Sequence, residues 1–324
     1  MIREFLAEGG ASLVVIAPHP DDESLATGGL VQAALASGAR VTVVMLTDGD
    51  NNPWPQRAAE RRIWIGAGDR ERWGVQRRQE ARAALSILGV PDASIRCLGF
   101  PDLGLTELVS ADADAAIAGV CEIFRDTNPT VVAVPSLSDR HPDHSAAHVM
   151  CCLALAKCDL RPRLLSYMVH GAASALDREF ELGANACEQK MRAVAAHRTQ
   201  LMLSRTRIMA YAERPECFAI DFGAAAGMKL PANARLPWRI SRLSASLASL
   251  ILVTNDRAWR IAIQADDAAA RNEESPRCVR DADGWLWLRI PEHISATSPA
   301  FAKLAGRIAS PWIYDRWGWT RLGA

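Results

Sequence analysis

The sequence lacks several features that mark specialised classes of protein. Its 37 basic and 37 acidic side chains cancel, so it has no net positive field of the kind that holds nucleic acid, and we expect no nucleic-acid partner. No apolar run reaches the ~18 residues of a membrane span; the best candidate, residues 247–253, has only the length of a strand. Residues 1–18 lack a basic head and a small-residue cleavage site, so we expect no signal peptide.

Cysteine is present but not in a pattern that binds metal or forms a disulfide framework. The eight cysteines show no C-x-x-C spacing, and most lie in apolar runs. This distribution favours reduced, buried thiols over a cysteine zinc knuckle. We therefore expect a cytoplasmic protein.

The length and composition are those of a globular protein with roughly two domains, at ~150 residues per domain. The chain has 324 residues, of which 49% are hydrophobic and 23% charged, and these values exclude disorder, collagen and coiled coil. Tryptophan is unevenly distributed: three of the ten lie in residues 54–73 and seven in residues 238–319. The aromatic residues are thus concentrated in one loop and in the C-terminal part.

Short apolar runs alternate with amphipathic ones over residues 1–222. Strands are predicted at 13–17, 41–46, 95–98, 131–134, 164–169 and 217–220, and helices at 23–37, 77–88, 112–125, 145–156 and 186–197. This alternation predicts an α/β domain with a doubly wound, mostly parallel, Rossmann-like sheet. For residues 223–324 we expect a connector and a small β-rich accessory domain of unknown role. It would contain a hairpin at 247–264, a strand at 285–290 and a short helix near 300–308.

Polar residues follow the predicted strands directly, at the edge where an open parallel sheet binds its ligand. Pro18-His19-Pro20-Asp21-Asp22-Glu23 follows the first strand, Thr47-Asp48-Gly49-Asp50 the second, Pro101-Asp102 the third and Asp139-Arg140-His141-Pro142-Asp143-His144 the fourth. We expect these clusters to converge on one rim.

Imidazoles and carboxylates on one rim are typical ligands of zinc or a similar first-row ion. The sequence contains no G-x-G-x-x-G after the first strand, no Walker-type phosphate loop and no G-x-S-x-G nucleophile elbow. The residues therefore favour metal-assisted hydrolysis, in which the ion polarises a carbonyl and a carboxylate takes a proton from water. For a single Asp or His the simpler alternative is a structural role; Asp22, for example, is well placed to cap the following helix.

The two longest clusters resemble the motifs of the PIG-L/LmbE-like zinc de-N-acetylases. The resemblance rests on His19-Pro20-Asp21-Asp22-Glu23 together with His141-Pro142-Asp143-His144, and it extends through Arg77, Glu80 and Phe100-Pro101-Asp102 to Lys190 and His197-Arg198-Thr199-Gln200. It covers about residues 1–222. Pro18 departs from the family pattern, which usually has Ala before the first histidine.

The resemblance implies a role for each matching residue. His19, Asp22 and His144 would bind zinc, and Asp21 would be the general base. His141 would stabilise the oxyanion with Asp143 as its orienting partner. Arg77 and Asp102 would hold sugar hydroxyls. The implied reaction is hydrolysis of an N-acetylated amino sugar to acetate and a free amine, with Zn²⁺ or another divalent ion such as Fe²⁺ as cofactor.

Residues 51–74 form a long connection beside this rim and carry three of the tryptophans. Connections longer than ~15 residues are usually lids or binding loops, so Trp54 and Trp64 are candidates for contact with a sugar face. An equally good interpretation is a helical insertion that packs its own tryptophans against the domain.

Two other functions remain open from the sequence. Two histidines and a carboxylate also hold non-haem iron for oxygen chemistry, and the C-terminal part is compatible with a non-catalytic carbohydrate-binding protein. The partner expected in every case is a small-molecule or glycoconjugate amino sugar. The resemblance leaves open whether it is a glycolipid reached by peripheral membrane contact, and whether the protein is a homo-oligomer.

Overall fold

The structure, a computed structural model, consists of two seven-stranded sheets with helices around the first. It describes residues 1–171, 176–221, 230–254, 257–265, 274–292, 294, 299–306 and 313–323. The predicted connector at 223–227 and the predicted turn at Asn255-Asp256 lie outside these residues.

The first sheet is mixed and has five parallel strands. In chain order its strands are β1 (Ser12–Ala17), β2 (Arg40–Thr47), β3 (Ile95–Phe100), β4 (Val131–Pro135), β5 (Arg163–Tyr167), β6 (Arg178–Phe180) and β7 (Glu216–Asp221). They lie in the order β3-β2-β1-β4-β5-β7-β6. β1 to β5 run parallel, whereas β7 is antiparallel to β5 and β6. The predicted α/β class is confirmed, with an antiparallel edge.

Helices cover both faces of this sheet. They are α1 (Ile2–Ala7), α2 (Asp22–Ala36), α3 (Pro53–Glu60), α4 (Ala67–Ile87), α5 (Leu105–Ala111), α6 (Ala113–Thr127), α7 (Pro142–Lys157), α8 (Ala184–Ala196) and α9 (Arg198–Glu213). Alternate residues of β1 point to opposite sides: Leu13 and Val15 belong to the core with α2 and α4, whereas Val14 and Ile16 belong to the core with α6 and α7. Burial on both faces explains why this strand is apolar throughout.

The strand order reverses at β1, and this brings the two motifs together. From β1 the chain moves outward to β2 and β3, then returns to place β4 on the other side of β1. The carboxyl ends of β1 and β4 are therefore adjacent, and a crevice forms where their following loops diverge. The first motif leaves β1 and the second leaves β4, so the topology places both at this point.

Residues 51–74 are mostly helical rather than a long loop. They contain α3 and the first residues of α4, which begins at Ala67, ten residues before the predicted start at Arg77. Proline in the first turn of α3 suits the position, where a backbone N–H has no helical partner. Trp73 is buried, whereas Trp54 and Trp64 are exposed. α9 was not predicted at all.

The second sheet is β-rich, as expected. Its elements are β8 (Asn233–Arg239), α10 (Arg242–Ser246), β9 (Ala248–Val253), β10 (Ala258–Ala265), β11 (Arg277–Arg280), β12 (Trp285–Arg289), β13 (Ala300–Gly306) and β14 (Thr320–Leu322), with the strands ordered β14-β13-β9-β10-β11-β12-β8. The helix predicted near 300–308 is wrong, because residues 300–306 form strand β13, which pairs with β9 along its whole length. Residues 307–312 lie outside the part of the chain that the structure describes.

The two sheets share a hydrophobic core. Ile251, Val253, Phe301 and Trp319 of the second sheet belong to the same buried cluster as the inner residues of α6 and α7. An ion pair between Arg260 on β10 and Glu107 on α5 lies at the edge of this contact. The C-terminal part therefore packs directly on the helical layer of the first sheet.

Candidate metal centre

A cavity of about 290 Å³ lies beyond the carboxyl ends of the parallel strands. It contains residues from both motifs, from the region around α3, from α9 and from the second sheet. Its polar lining at the deep end is His19, Asp21, Asp22, Arg77, Asp102, His141 and His170, and its outer lining includes Asn51, Trp54, Gln200, Ser204, Arg207, Tyr211 and Tyr314.

His19, Asp22 and His144 present three donor atoms to one another at nearly equal distances. His19 Nδ1 lies 3.3 Å from Asp22 Oδ2 and 3.3 Å from His144 Nε2, and His144 Nε2 lies 3.2 Å from Asp22 Oδ2. In a tetrahedral zinc site with bonds of 2.0–2.1 Å, neighbouring ligand atoms are about 3.3 Å apart. The three atoms therefore form one face of a tetrahedron of the size that zinc requires, and the donor set fits the ion.

His144 is held by a buried carboxylate behind it. Its Nδ1 lies 3.1 Å from Asp139 Oδ2, and that oxygen also accepts hydrogen bonds from the backbone N–H groups of Val169 and His170. Such an arrangement fixes the ring orientation of a metal-binding histidine. Burial lowers the pKa of His144, but the carboxylates of Asp22 and Asp139 outweigh burial and raise it to about 9. The pocket thus favours a positive charge at this ring.

His19 is oriented by two further carboxylates. Its Nε2 lies 3.2 Å from Asp102 Oδ1 and 3.4 Å from Asp143 Oδ2. The nitrogen that faces away from Asp22 is therefore engaged, which leaves Nδ1 free to act as a ligand atom.

Asp21 lies beside the triangle in a strained backbone conformation. Its φ is 145°, a region that a residue with a Cβ rarely adopts outside functional sites. Its N–H donates to Glu23 Oε2 at 2.9 Å, and its carboxylate lies 3.4 Å from Arg77 Nη2. Burial raises the pKa of Asp21 to about 6, although the nearby Arg77 opposes the shift. A carboxyl group with this pKa can both accept and return a proton near neutral pH.

His141 lies next to the triangle and caps α7. Its ring centroid is 4.7 Å from that of His19 and 5.0 Å from that of His144, and its Nδ1 accepts a hydrogen bond from the backbone N–H of Asp143 at 3.2 Å. Burial, reinforced by the neighbouring imidazoles, lowers the pKa of His141 far below its ordinary value. A neutral ring that accepts at Nδ1 carries its proton on Nε2. Donor atoms of His19, His141 and His144 also lie close enough together to hold an ion.

Asp143 contacts the His141 ring through its backbone N–H and not through its carboxylate. The contact to the ring comes from the Asp143 backbone, whereas its carboxylate accepts from the N–H groups of Leu103 and Leu105 at 2.7 and 3.1 Å and faces His19. Leu103 has a positive φ of 61°. The Asp143 carboxylate therefore holds the loop after β3 against the site.

Arg77 and Asp102 line the cavity, but their observed contacts are to the protein itself. Arg77 donates to the carbonyls of Gly49 and Pro20 at 2.6 and 2.8 Å. Gly49 has a φ of 62°, and a Cβ there would lie 2.0 Å from the guanidinium, so glycine is required. Asp102 accepts from the N–H of Asn51 at 2.7 Å. These contacts tie the strand-end loops together; both residues also line the cavity, and their roles as sugar contacts stay a prediction.

The structure separates the two tryptophans predicted for the substrate site. Trp54 lines the cavity and is 62% exposed. Trp64 is 85% exposed and does not belong to the described lining of the cavity. Of the two rings, Trp54 is therefore the one that lies at the described cavity, and contact of either ring with a ligand stays a prediction.

Some residues of the site were given no role from the sequence. Asp139 was named in the cluster after the fourth strand without a function. His170 was missed, although it follows the fifth parallel strand and the strand-end rule applies to it. The residues of α9 were missed with their helix, which carries a kink at Ser204. Tyr314 could not be found, because no local pattern indicates that a residue so far along the chain returns to the cavity.

Comparison with known proteins finds a family match for the part of the chain that contains both motifs. Residues 14–155 match the family described as PIG-L: GlcNAc-PI de-N-acetylase. The chain is 33% identical over 149 residues to a 1D-myo-inositol 2-acetamido-2-deoxy-alpha-D-glucopyranoside deacetylase of Rhodococcus opacus, covering 42% of this chain and 50% of the relative. A protein of the same description from Mycolicibacterium smegmatis is 30% identical over 158 residues, covering 44% and 53%. The chain thus spans about half the length of the curated relatives that it matches.

Solved structures show the same fold at low identity. N,N'-diacetylchitobiose deacetylase from Pyrococcus horikoshii superposes with a TM-score of 0.51 at 20% identity, covering 68% of this chain and 89% of that one. A triple mutant of a deacetylase of teicoplanin biosynthesis has a TM-score of 0.51 at 22% identity, covering 65% and 98%. The 4-carboxy-2-hydroxymuconate hydratase GalB of Pseudomonas putida KT2440 also has a TM-score of 0.51, at 20% identity, covering 63% and 83%. Because this fold also carries a hydratase, it does not select the reaction.

The predicted resemblance to this family is confirmed over residues 14–155, the segment that the family model matches. This segment contains every residue of the two motifs, together with Asp139. Within the described residues, no helix combines the length and apolar character needed to cross a membrane.

Proposed function

We propose that this protein is a zinc-dependent hydrolase that removes the acetyl group from an N-acetylated amino sugar of the N-acetylglucosamine type. The observation that carries the proposal is the triangle of His19 Nδ1, Asp22 Oδ2 and His144 Nε2, with edges of 3.2–3.3 Å. The three residues come from the two motifs that carry the family resemblance. The deacetylases among the relatives support the amide bond and the sugar as substrate chemistry.

The ion would be held by His19, Asp22 and His144, and when bound it supplies Lewis acidity toward the amide carbonyl and a lowered pKa for the attacking water. Zinc is the ion that best suits two imidazoles and one carboxylate in a tetrahedral arrangement, and Fe²⁺ is the main alternative. His141 stays outside this set in the proposed arrangement, with a proton on Nε2 that it can donate.

Asp21 is the proposed proton carrier. Its carboxylate takes a proton from water as the new C–O bond forms at the amide carbon, and it returns the proton to the nitrogen as the C–N bond breaks. The immediate products are acetic acid and the amine, and transfer of the acid proton gives acetate and an ammonium ion, so atoms and charge balance. Arg77 holds the Asp21 carboxylate at 3.4 Å and the strained backbone fixes its direction.

His141 would stabilise the negative charge that develops on the carbonyl oxygen. Because its Nδ1 is occupied by the N–H of Asp143, its Nε2 is the donor. A donor held in place before the reaction needs no reorganisation when the charge appears. The low pKa of His141 keeps the ring neutral, so it contributes a hydrogen bond rather than a charge.

We also propose a domain organisation, a cellular location and a substrate contact for this protein. The first sheet is taken as a doubly wound, Rossmann-like core in a domain of about residues 1–222. Residues 223–324 would form an accessory domain. The protein would act in the cytoplasm on a soluble or glycoconjugate amino sugar, with Trp54 contacting the sugar.

Metal analysis combined with acetate release tests the proposal directly. The purified protein should contain about one zinc per chain, and it should release acetate from at least one member of a panel of N-acetylglucosaminides. Removal of the ion by a chelator should abolish acetate release, and added Zn²⁺ should restore it. Acetate release that persists without metal would contradict the proposal, as would a zinc-loaded protein that is inactive on every member of the panel.

A further inference from the structure

The second sheet contributes directly to the cavity. Ile313 and Tyr314, which lie between β13 and β14, line its outer wall. Both lie outside residues 14–155, the segment that matches the family. One wall of the cavity is therefore built in part by the C-terminal portion of this chain.

Tyr314 is anchored from both sides. The following residue, Asp315, donates its N–H to the carbonyl of Arg140 at 2.9 Å and forms an ion pair with the buried side chain of Lys303. The guanidinium of Arg140 lies 5.2 Å from the centroid of the Tyr314 ring, and the His170 ring lies 5.6 Å from it. Arg140 lies close to the proposed metal ligands in sequence, and His170 lies close to them in space. These two contacts therefore hold Tyr314 next to the deep end of the cavity.

Arg207 on α9 lies beside Tyr314 at the mouth of the cavity. The nearby hydroxyl of Tyr314, and to a smaller extent that of Tyr211, raises the pKa of Arg207 above its ordinary value. Tyr211 is fixed in turn, because its hydroxyl donates to the carbonyl of Val169 at 2.6 Å. Tyrosines raise the pKa of Arg207 and partial burial opposes them, and among the described residues Arg207 forms no ion pair with a carboxylate. Its guanidinium is thus a permanent, unneutralised positive charge.

Charge is distributed unevenly along the cavity. The carboxylates that line it, Asp21, Asp22 and Asp102, all lie at the metal end, where Arg77 is engaged by backbone carbonyls. Arg207 also lines the cavity, and its side chain is exposed to solvent. A substrate whose acetamido group reaches the metal triangle therefore has room to place its anomeric substituent in the part of the cavity that Arg207 lines. The guanidinium presents a planar fork of donors that matches phosphate and carboxylate oxygens.

We propose that Arg207 and Tyr314 form a subsite for an anionic group, a phosphate or a carboxylate, that the substrate carries in its anomeric substituent. The inference rests on the proposed function for the orientation of the substrate. Tyr314 positions the guanidinium, and its placement by the second sheet makes acceptor recognition one role of the C-terminal part. Because the subsite is at the mouth, it also attracts the anion before binding.

Equilibrium binding of product-like sugars tests the subsite independently of turnover. Calorimetry on the zinc-loaded protein would compare methyl glucosaminide with glucosamine 1-phosphate and with carboxymethyl glucosaminide. Both anionic probes should bind about tenfold more tightly than the neutral one, the size of one charge-assisted hydrogen-bond pair. The preference should shrink as salt is added, because the mouth is open to solvent. A preference for only one of the two probes identifies which anion the subsite receives.

Variants separate this subsite from a general effect of surface charge. Arg207→Gln should remove the preference for the anionic probes and leave the affinity for methyl glucosaminide unchanged, and Tyr314→Phe should reduce the preference less. Arg205→Gln is the matched control, since Arg205 is an exposed arginine of the same helix outside the described cavity lining. Equal losses in the Arg207 and Arg205 variants would overturn the proposal. So would equal affinity of the unaltered protein for all three probes, or no binding of either anionic probe.

The binding and acetate-release measurements together distinguish a failure of the proposed reaction from a failure of the proposed subsite. If the protein prefers the anionic probes but releases no acetate from any acetylated counterpart, the subsite stands and the reaction is wrong. If it releases acetate equally well from charged and neutral substrates and binds all probes alike, the reaction stands and the subsite is wrong.

Discussion

His19 Nδ1 and His144 Nε2 lie 3.3 Å apart, although 125 positions separate the two residues in the sequence. The distance is set by the reversal of strand order at β1, which makes β1 and β4 neighbours. His19 follows the first of these strands and His144 lies in the first turn of the helix after the second. Two nitrogen atoms held at this separation, with Asp22 Oδ2 completing the triangle, are the central feature of the site.

Replacement of Asp21 should separate chemistry from metal binding. Asp21→Asn removes the proton acceptor but leaves the three atoms of the triangle in place. We expect kcat to fall by about 10²–10⁴, with zinc content near that of the unaltered protein. Acetate release and elemental analysis on the same preparations check this. Loss of zinc from the variant would mean that Asp21, rather than Asp22, is the ligand.

His144 and His141 should respond differently to the same substitution. His144→Ala removes a corner of the triangle and should lower zinc occupancy, whereas His141→Ala should slow turnover at near-normal occupancy. His148→Ala on the same helix is the control, because its ring is bound to the carbonyl of Pro135 and lies outside the triangle. Equal zinc loss in the His144 and His141 variants would make His141 a third histidine ligand.

Asp139 should increase the affinity for zinc although it is not itself a ligand of the ion. It binds the far nitrogen of His144, so Asp139→Asn should weaken zinc binding by about 10–100-fold, the usual effect of losing such a partner. Competition with a chromophoric chelator measures the Kd. An unchanged Kd would show that the backbone N–H groups around Asp139, rather than its charge, hold the ring.

Trp54 and Trp64 form a matched pair for testing substrate contact. Trp54→Ala should raise KM for substrates with a sugar or other group attached to the amino sugar, and should leave KM for N-acetylglucosamine itself little changed. Trp64→Ala should change neither, since that ring points into solvent. Equal KM values for the Trp54 variant and the unaltered protein on every substrate would assign Trp54 to packing.

The core shared by the two sheets predicts a stability effect. Phe301 is fully buried on the second sheet, within the cluster that includes the inner face of α7. Phe301→Ala should lower the free energy of unfolding by about 3–5 kcal/mol. Leu243→Ala, at an exposed position, should change it by less than about 0.5 kcal/mol. Chemical denaturation should show a single transition in both variants. A separate early transition in the Phe301 variant would mean that the second sheet unfolds on its own.

Several features of the fold could be predicted because they depend on local pattern. The fully apolar runs at 13–17 and 131–134 identified two central strands of the first sheet, and the polar residues after them identified the motifs. The segment at 300–306 could not be assigned in this way. Its small and apolar residues suit a helix equally well, and pairing with β9 decided in favour of a strand. For residues 51–74 the sequence left a binding loop and a helical insertion equally open, since neither Trp nor Arg marks the start of α4, and the structure has the helices.

The sequence by itself determined which residue types stand at the strand ends, and hence the metal chemistry and the family resemblance. Tertiary structure decided how these residues are used. Arg77 and Asp102 form hydrogen bonds with the backbone of neighbouring loops, and the Asp143 carboxylate accepts hydrogen bonds from the loop after β3. Arg207 and Tyr314 reach the cavity from α9 and from the C-terminal part of the chain. The physical reason is that ligand type follows from side-chain chemistry, which is local. Contacts between residues far apart in the chain depend on strand order and packing, which no short stretch of sequence contains.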